Sequence, residues 1–109
     1  MLYPRMMLIR QHINAPTLQD IPGAIRQELA KLPLSDRIKP GDSVALTVGS
    51  RGIANMALII KILVEELKRH GANPFIVPAM GSHGGGTAEG QRAIVEAYGV
   101  TEDFIGAPI

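Results

Sequence analysis

Two glycine-containing loops carry the side chains best suited to chemistry. Residues 49–52 read Gly-Ser-Arg-Gly, and residues 81–86 read Gly-Ser-His-Gly-Gly-Gly. The Arg51 guanidinium is a planar fork that can bind a carboxylate or phosphate through two parallel hydrogen bonds, and Ser50 can donate to the same anion. The imidazole of His83 can give or take a proton at neutral pH, and its glycine neighbours let the backbone approach a ligand closely. These residues predict binding of a small acid together with acid/base chemistry.

Each of these residues also has a purely structural interpretation. Arg51 can be a surface arginine paired with a nearby acid, and Ser50 is more typical of a turn or a helix cap. His83 can be a solvent-exposed histidine in a mobile loop. The other two histidines are not candidates, because His70 suits the C-terminal end of a helix and His12 the end of a strand.

Neither loop matches an established nucleotide-binding signature. Residues 49–52 lack the third glycine of the dinucleotide fingerprint, and residues 81–86 lack the Gly-Lys-Ser/Thr ending of a P-loop. The amides of Gly85 and Gly86 can still face a phosphate in front of the helix that follows Thr87. Three scattered histidines without cysteine have no metal-ligand spacing, so we expect no self-contained metal site.

The segments around these loops predict an α/β domain. Residues 43–48 are short, β-branched and apolar on both faces, as buried parallel strands are. The predicted order begins with a strand in the later half of residues 2–13 and a helix capped by Thr17 or Asp20 and ending near Pro33. A strand at 43–48, a helix from 56 closed by Gly71 and a strand at 75–77 follow. The chain continues with a helix capped by Thr87, running to about Tyr98 and closed by Gly99, and with an extended piece beginning at Thr101. Helices of crossover length separate the strands, so we predict a Rossmann-like β-α-β-α-β-α fold whose parallel sheet is covered by helices.

The predicted topology bears directly on the two loops. The carboxyl ends of parallel strands meet at one edge of a sheet, which is where such folds bind ligands. If the strands before the two loops are neighbours, Arg51 and His83 face a shared crevice. Sequence spacing alone leaves that adjacency, and the strand order, open.

Composition narrows the class of protein further. The chain has 109 residues, enough for one domain, and 46% of them are hydrophobic, so it can bury a core. A formal net charge of +1 and few aromatic residues disfavour a nucleic-acid or membrane surface. The sequence has no cysteine, no long apolar run and no signal-peptide pattern, and we therefore expect a cytoplasmic protein.

Two segments around the loops carry a family resemblance. They are residues 48–55, Val-Gly-Ser-Arg-Gly-Ile-Ala-Asn, and residues 78–91, Pro-Ala-Met-Gly-Ser-His-Gly-Gly-Gly-Thr-Ala-Glu-Gly-Gln. With the order of elements over roughly residues 42–99, they resemble the amino-terminal domain of the nickel-dependent lactate racemase family. In that family a Thr-Arg pair and a Gly-x-His motif lie at corresponding strand ends, where this chain has Ser50-Arg51 and Gly81-Ser82-His83.

The resemblance implies a racemase or epimerase of 2-hydroxy acids that uses a nickel pincer nucleotide. The cofactor of that family takes a hydride from the α-carbon and returns it to the other face. By resemblance, His83 is one of two acid/base histidines, and Arg51, assisted by Ser50, holds the substrate carboxylate. The segment expected to contact the cofactor consists of Gly84, Gly85, Gly86 and Thr87.

Three positions depart from the family pattern. Val48 stands where the family has an acid, Gly52 replaces its proline, and Gly84 replaces its arginine. Because a large side chain is absent at Gly84, we expect a wider entrance to the substrate site and a substrate larger than lactate. The family's lysine tether, nickel-ligating histidine and second acid/base histidine have no match here. We therefore expect residues 1–109 to be a single domain, the amino-terminal part of a longer enzyme, inactive without its carboxyl-terminal domain.

Two other functions remain open from the sequence. The chain can be an α/β binding module whose glycine loops hold a phosphate or nucleotide, with no proton transfer at His83. It can also use its crevice and a bare sheet edge mainly to dock a second domain or an identical chain, in which case the fragment self-associates.

Overall fold

The structure, a computed structural model, describes residues 4–109 and is a mixed α/β fold. Within these residues, a two-stranded sheet is combined with five helices and one short 3-10 turn. The elements are α1 (Ile21–Leu29), α2 (Leu34–Arg37), β1 (Ser43–Val48), α3 (Met56–Arg69), β2 (Asn73–Pro78), the 3-10 turn His83–Gly86, α4 (Ala88–Ala97) and α5 (Glu102–Ile105).

The two strands are parallel neighbours. β1 pairs with β2 in a register that runs from Ser43 opposite Asn73 to Val48 opposite Pro78, and α3 forms the crossover between them. The predictions of strands at 43–48 and 75–77, and of the helix from residue 56, are confirmed. The parallel pairing follows because the long amphipathic α3 returns the chain to the same end of the sheet.

The core lies on one face of this sheet. Alternate strand residues such as Val48 and Ile76 form a single buried cluster with Val64 of α3 and Val95 of α4. The opposite sheet face is uncovered, and its residues are exposed: Ser43, Ala45, Thr47, Asn73, Phe75 and Val77. Within residues 4–109, helices therefore cover only one face of the predicted parallel sheet, because α3, α4 and α5 all contribute to the same cluster.

The predicted strand in the later half of residues 2–13 does not form; residues 2 and 3 themselves lie outside the described residues. Residues 4–20 contain neither helix nor strand. Met6 and Leu8 are 95% and 103% exposed, so these apolar side chains of the segment contact no core. A strand is held by hydrogen bonds to a neighbouring strand, and the sheet of the described residues contains no strand other than β1 and β2 for this segment to pair with.

Helix boundaries follow local chemistry. Asp20, rather than Thr17, caps α1, because its Oδ1 accepts from the Gly23 amide at 2.9 Å. The helix ends at Leu29, earlier than the predicted end near Pro33, since tighter turn bonds replace the helical ones at Lys31 and Leu32. Gly71 and Gly99 follow α3 and α4 with positive φ, as predicted for helix ends.

The end of the chain also differs from its prediction. Thr101 begins the short helix α5 instead of an extended piece, because its side-chain oxygen accepts from the Phe104 amide at 3.3 Å. Beyond α5 the chain returns to the sheet, where the Ile76 amide donates to the Pro108 carbonyl at 2.8 Å. Among residues 4–109, no helix combines the length and apolar character needed to cross a bilayer.

Candidate functional site

The two glycine-containing loops leave the sheet at the same edge. Val48 and Pro78, the last residues of β1 and β2, are register partners. Residues 49–52 follow the first strand directly, and residues 81–86 follow the second after a two-residue link. The strand adjacency that the sequence left open is therefore present, and it brings both candidate loops to the carboxyl edge of the sheet.

Arg51 lies in an exposed bend of the first loop. None of the ion pairs formed within residues 4–109 includes it, so the alternative of a surface arginine paired with an acid finds no partner there. Ser50 is half-buried beside it. The N-cap of α3 is Asn55, in the left-handed conformation, so Ser50 does not cap that helix. Both side chains stay at the edge where an anion can approach.

His83 begins the 3-10 turn, and one ring nitrogen has a defined partner. Its Nδ1 lies 2.7 Å from the Met80 carbonyl oxygen. A carbonyl oxygen only accepts hydrogen bonds, so Nδ1 carries the proton in the neutral ring. The ring nitrogen left to accept a proton is therefore Nε2. Because Met80 is buried in the core, this contact also fixes the orientation of an otherwise exposed imidazole.

Gly84 does not provide the additional space for substrate that its replacement of the family's arginine predicts. Gly84 has φ +62°, and a Cβ added there would lie 2.4 Å from the carbonyl carbon of Gly90 in α4. The missing side chain therefore opens no space, because its direction points into the helix backbone. Gly85 and Gly86 also have positive φ, but an added Cβ meets nothing within 4 Å at either position. Open space lies at these two residues of the run.

Thr87 caps α4 as predicted, and its hydroxyl is used inside the loop. Thr87 Oγ1 accepts from the Gly90 amide at 3.1 Å and donates to the Gly84 carbonyl at 3.1 Å. Its hydroxyl hydrogen is therefore not free for a cofactor. Of the predicted cofactor segment, Gly84 and Thr87 hold the loop against α4, whereas Gly85 and Gly86 face outward.

Gln91 was missed by sequence reasoning. Its Nε2 donates to the Gly81 carbonyl at 2.6 Å, which ties the start of the second loop to α4. The available signal was its spacing: Gln91 lies four residues after Thr87, and therefore on the helix face that the cap places beside the loop.

Arg92 was also missed, although it makes more charged contacts than any predicted site residue. It donates to Glu96 Oε1 and Glu102 Oε1 at 2.8 Å each and to the Ile109 carbonyl at 3.0 Å. The hydrogen bond to Glu96, followed by that to Glu102, raises the pKa of the Arg92 guanidinium. Arg92 therefore joins α4, α5 and the end of the chain, and its bonds are committed to structure.

Of the cavities formed by residues 4–109, we describe two that border the carboxyl edge. A cleft of about 480 Å³ between β2 and α4 is lined by Val77, Pro78, Ala88, Glu89, Gln91, Arg92 and Ile109. A smaller apolar cavity of about 60 Å³ lies beneath the first loop, against Gly49, Ile53 and Met56. Neither cavity is lined by Arg51 or His83. The structure thus brings these two residues to one edge of the sheet without enclosing them in either pocket.

The remaining histidines belong to other parts of the fold. His12 is in the irregular segment before α1, where no strand ends. His70 is the C-cap of α3, in agreement with its predicted place at a helix end, and its Nδ1 is 3.4 Å from Ser35 Oγ. Within residues 4–109, no group of three or more histidine or carboxylate side chains is placed to hold a metal ion.

Comparisons with known proteins add no relative. No family model, no curated protein and no solved structure matches this chain.

Proposed function

We propose that this chain supplies the amino-terminal half of the active site of a 2-hydroxy acid racemase or epimerase. One observation carries the proposal: the β1–β2 register brings the loops of Arg51 and His83 to the same edge of the sheet. The His83–Met80 contact adds to it, since it leaves Nε2 as the nitrogen that can accept a proton. The finer assignment, a Rossmann-like domain of a longer cytoplasmic enzyme completed by a carboxyl-terminal domain, belongs to the same proposal.

In the proposed mechanism, Arg51 and His83 act on different groups of the substrate. Arg51 binds the carboxylate through paired N–H donors, which orients the α-carbon. His83 Nε2 accepts the hydroxyl proton as the carbon–oxygen bond becomes a carbonyl. The planar 2-keto acid then reorients. When the hydride returns to the other face of the α-carbon, the carbonyl oxygen takes a proton from the second acid/base histidine, which we expect from the carboxyl-terminal domain. The net reaction inverts the α-carbon and consumes no oxidant.

The proposed cofactor is a nickel pincer nucleotide, which when bound supplies the removal and return of the hydride. Within the predicted cofactor segment, Gly85 and Gly86 have room to admit part of such a nucleotide, because open space surrounds both Cβ positions. They precede α4, whose N-terminal end favours a phosphate. We expect the nickel ligands and the tether to come from sequence beyond residue 109.

Titration with small acids, followed by NMR, tests the proposal on the ¹⁵N-labelled chain. We expect L- and D-lactate and a bulkier 2-hydroxy acid to shift the amide signals of residues 49–52 and 81–86. Arg51→Gln should weaken this binding about tenfold or more, since a charge-assisted hydrogen bond contributes about 1.5–3 kcal/mol. The matched control is Arg37→Gln, because Arg37 is exposed on α2, away from the loops. Equal binding by the Arg51→Gln and Arg37→Gln variants would contradict the proposal.

The alternative is a phosphate- or nucleotide-binding module, which the open space at Gly85 and Gly86 favours. Inorganic phosphate and a mononucleotide are therefore separate arms of the titration. If they shift residues 85–87 and the hydroxy acids shift neither loop, the binding module replaces the racemase half-site.

A further inference from the structure

Two consecutive carbonyl groups at the start of the second loop have different partners. The Met80 carbonyl accepts from His83 Nδ1 at 2.7 Å, and the Gly81 carbonyl accepts from Gln91 Nε2 at 2.6 Å. Gly81, with φ +60°, lies between these carbonyls, so its backbone angles set their relative direction. The contact that orients the imidazole and the contact that anchors the loop are thus coupled through one residue.

The segment that carries His83 is held at both ends. On one side Met80 is buried in the core cluster. On the other side the Gly84 carbonyl accepts from Thr87 Oγ1, and Gly84 packs on the backbone of Gly90. Between these ends, the side chain of Gln91 provides a hydrogen bond from α4 to the Gly81 peptide.

We infer that Gln91 is a positioning residue for His83. Its amide holds the Gly81 peptide in the conformation in which the Met80 carbonyl meets Nδ1, and this contact selects the tautomer with Nε2 unprotonated. The importance of that tautomer for proton transfer rests on the proposed function. The positional link between Gln91 and the His83 ring does not.

The chemistry of the contact requires an amide at position 91. A carbonyl oxygen needs a donor, and the glutamine Nε2 supplies one, whereas a glutamate would place a charged oxygen against the Gly81 carbonyl. The base of the side chain is itself fixed, because the Gln91 backbone amide donates to the Thr87 carbonyl at 3.0 Å in the first turn of α4. Asparagine keeps the amide but is one methylene group shorter, so it cannot reach the same carbonyl from this position.

The test is the tautomer of His83, read from the ¹⁵N signals of its ring nitrogens at a pH where the ring is neutral. In the unmodified chain we expect the Nδ1–H form to predominate. In Gln91→Glu and in Gln91→Asn the ratio of Nδ1–H to Nε2–H should fall about two- to tenfold, the effect of losing one hydrogen bond. Gln27→Glu is the matched control, because Gln27 is exposed on α1, and it should leave the ratio unchanged.

Two controls distinguish loss of the Gln91 contact from unfolding and from an effect of charge. Unchanged amide signals of the core residues Val95 and Val100 show that the Gln91 variants are folded, and two variants of different charge distinguish a lost contact from an added charge. An unaltered tautomer ratio in both folded variants would overturn the inference. The ring measurement uses no substrate, so failure of the hydroxy acid titration removes the racemase proposal without affecting the link between Gln91 and His83.

Discussion

Gly84 and Gly90 are in backbone contact, so that the second loop lies directly on the first turn of α4. A Cβ added at Gly90 would lie 2.0 Å from the Gly84 carbonyl oxygen, and one added at Gly84 would meet the Gly90 carbonyl carbon at 2.4 Å. Neither distance is compatible with a side chain. This close approach brings α4 within reach of the loop, where Thr87 and Gln91 make their hydrogen bonds.

We expect Gly90→Ala to destabilise the chain, although Gly90 lies inside a helix. Helix propensity alone favours alanine by about 1 kcal/mol. Overpacking costs about 1–3 kcal/mol, and a Cβ against a backbone oxygen lies at the upper end of that range. Urea unfolding followed by circular dichroism measures the difference. Ala93→Gly, at an exposed position of the same helix, should also destabilise the chain. Helix propensity alone predicts that the two substitutions change the free energy of unfolding in opposite directions. A stabilised Gly90→Ala variant would therefore contradict the contact between Gly84 and Gly90.

The two candidate caps of α1 can be separated by matched alanine variants. Asp20→Ala removes the acceptor of the Gly23 amide and should lower the free energy of unfolding by about 1 kcal/mol. Thr17→Ala should change it by no more than about 0.5 kcal/mol, because Thr17 caps no helix and is exposed. Thermal unfolding of both variants provides the measurement. A larger loss of stability in Thr17→Ala than in Asp20→Ala would contradict the assignment of the cap to Asp20.

Neighbouring residues of β2 test whether only one sheet face is packed. Ile76 is buried in the core cluster, and Ile76→Ala should cost about 2–5 kcal/mol. Val77 points to the opposite face and is 37% exposed, so Val77→Ala should cost much less. Chemical denaturation of the two variants compares these costs directly. Equal losses would mean that the second face is covered in solution, by another part of the polypeptide or by a second copy.

The roles proposed for Arg51 and His83 predict that loss of the imidazole affects turnover more than binding. His83→Ala should leave hydroxy acid binding close to that of the unmodified chain, because Arg51 supplies the carboxylate contact. In the longer polypeptide that the proposal requires, loaded with the pincer cofactor, the same change should lower turnover by about 10²–10⁴, the usual contribution of a general acid/base. His70→Ala, remote from the edge, is the control for both assays. Weaker binding without any loss of turnover would exclude His83 as the proton-transfer group.

Local sequence patterns predicted much of the secondary structure around the candidate site. The β-branched run at 43–48, the helical spacing from Met56, the Thr87 cap and the glycines after α3 and α4 act through short-range sterics and hydrogen bonds. The same reasoning failed for the strand in the later half of residues 2–13 and for residues 101–105. A strand needs a partner that local pattern does not supply, and the Thr101 cap favoured a helix instead.

The amino-acid sequence by itself determined which residues can do chemistry, Arg51 and His83, and that each follows a strand. Only the tertiary structure decided that those strands are neighbours, that Gly84 packs on α4 instead of leaving open space, and that Gln91 reaches the second loop. The physical reason is the separation along the chain of the residues that interact. Caps, turns and periodicity depend on residues a few positions apart, whereas strand adjacency and the orientation of an imidazole depend on packing between elements far apart in the chain.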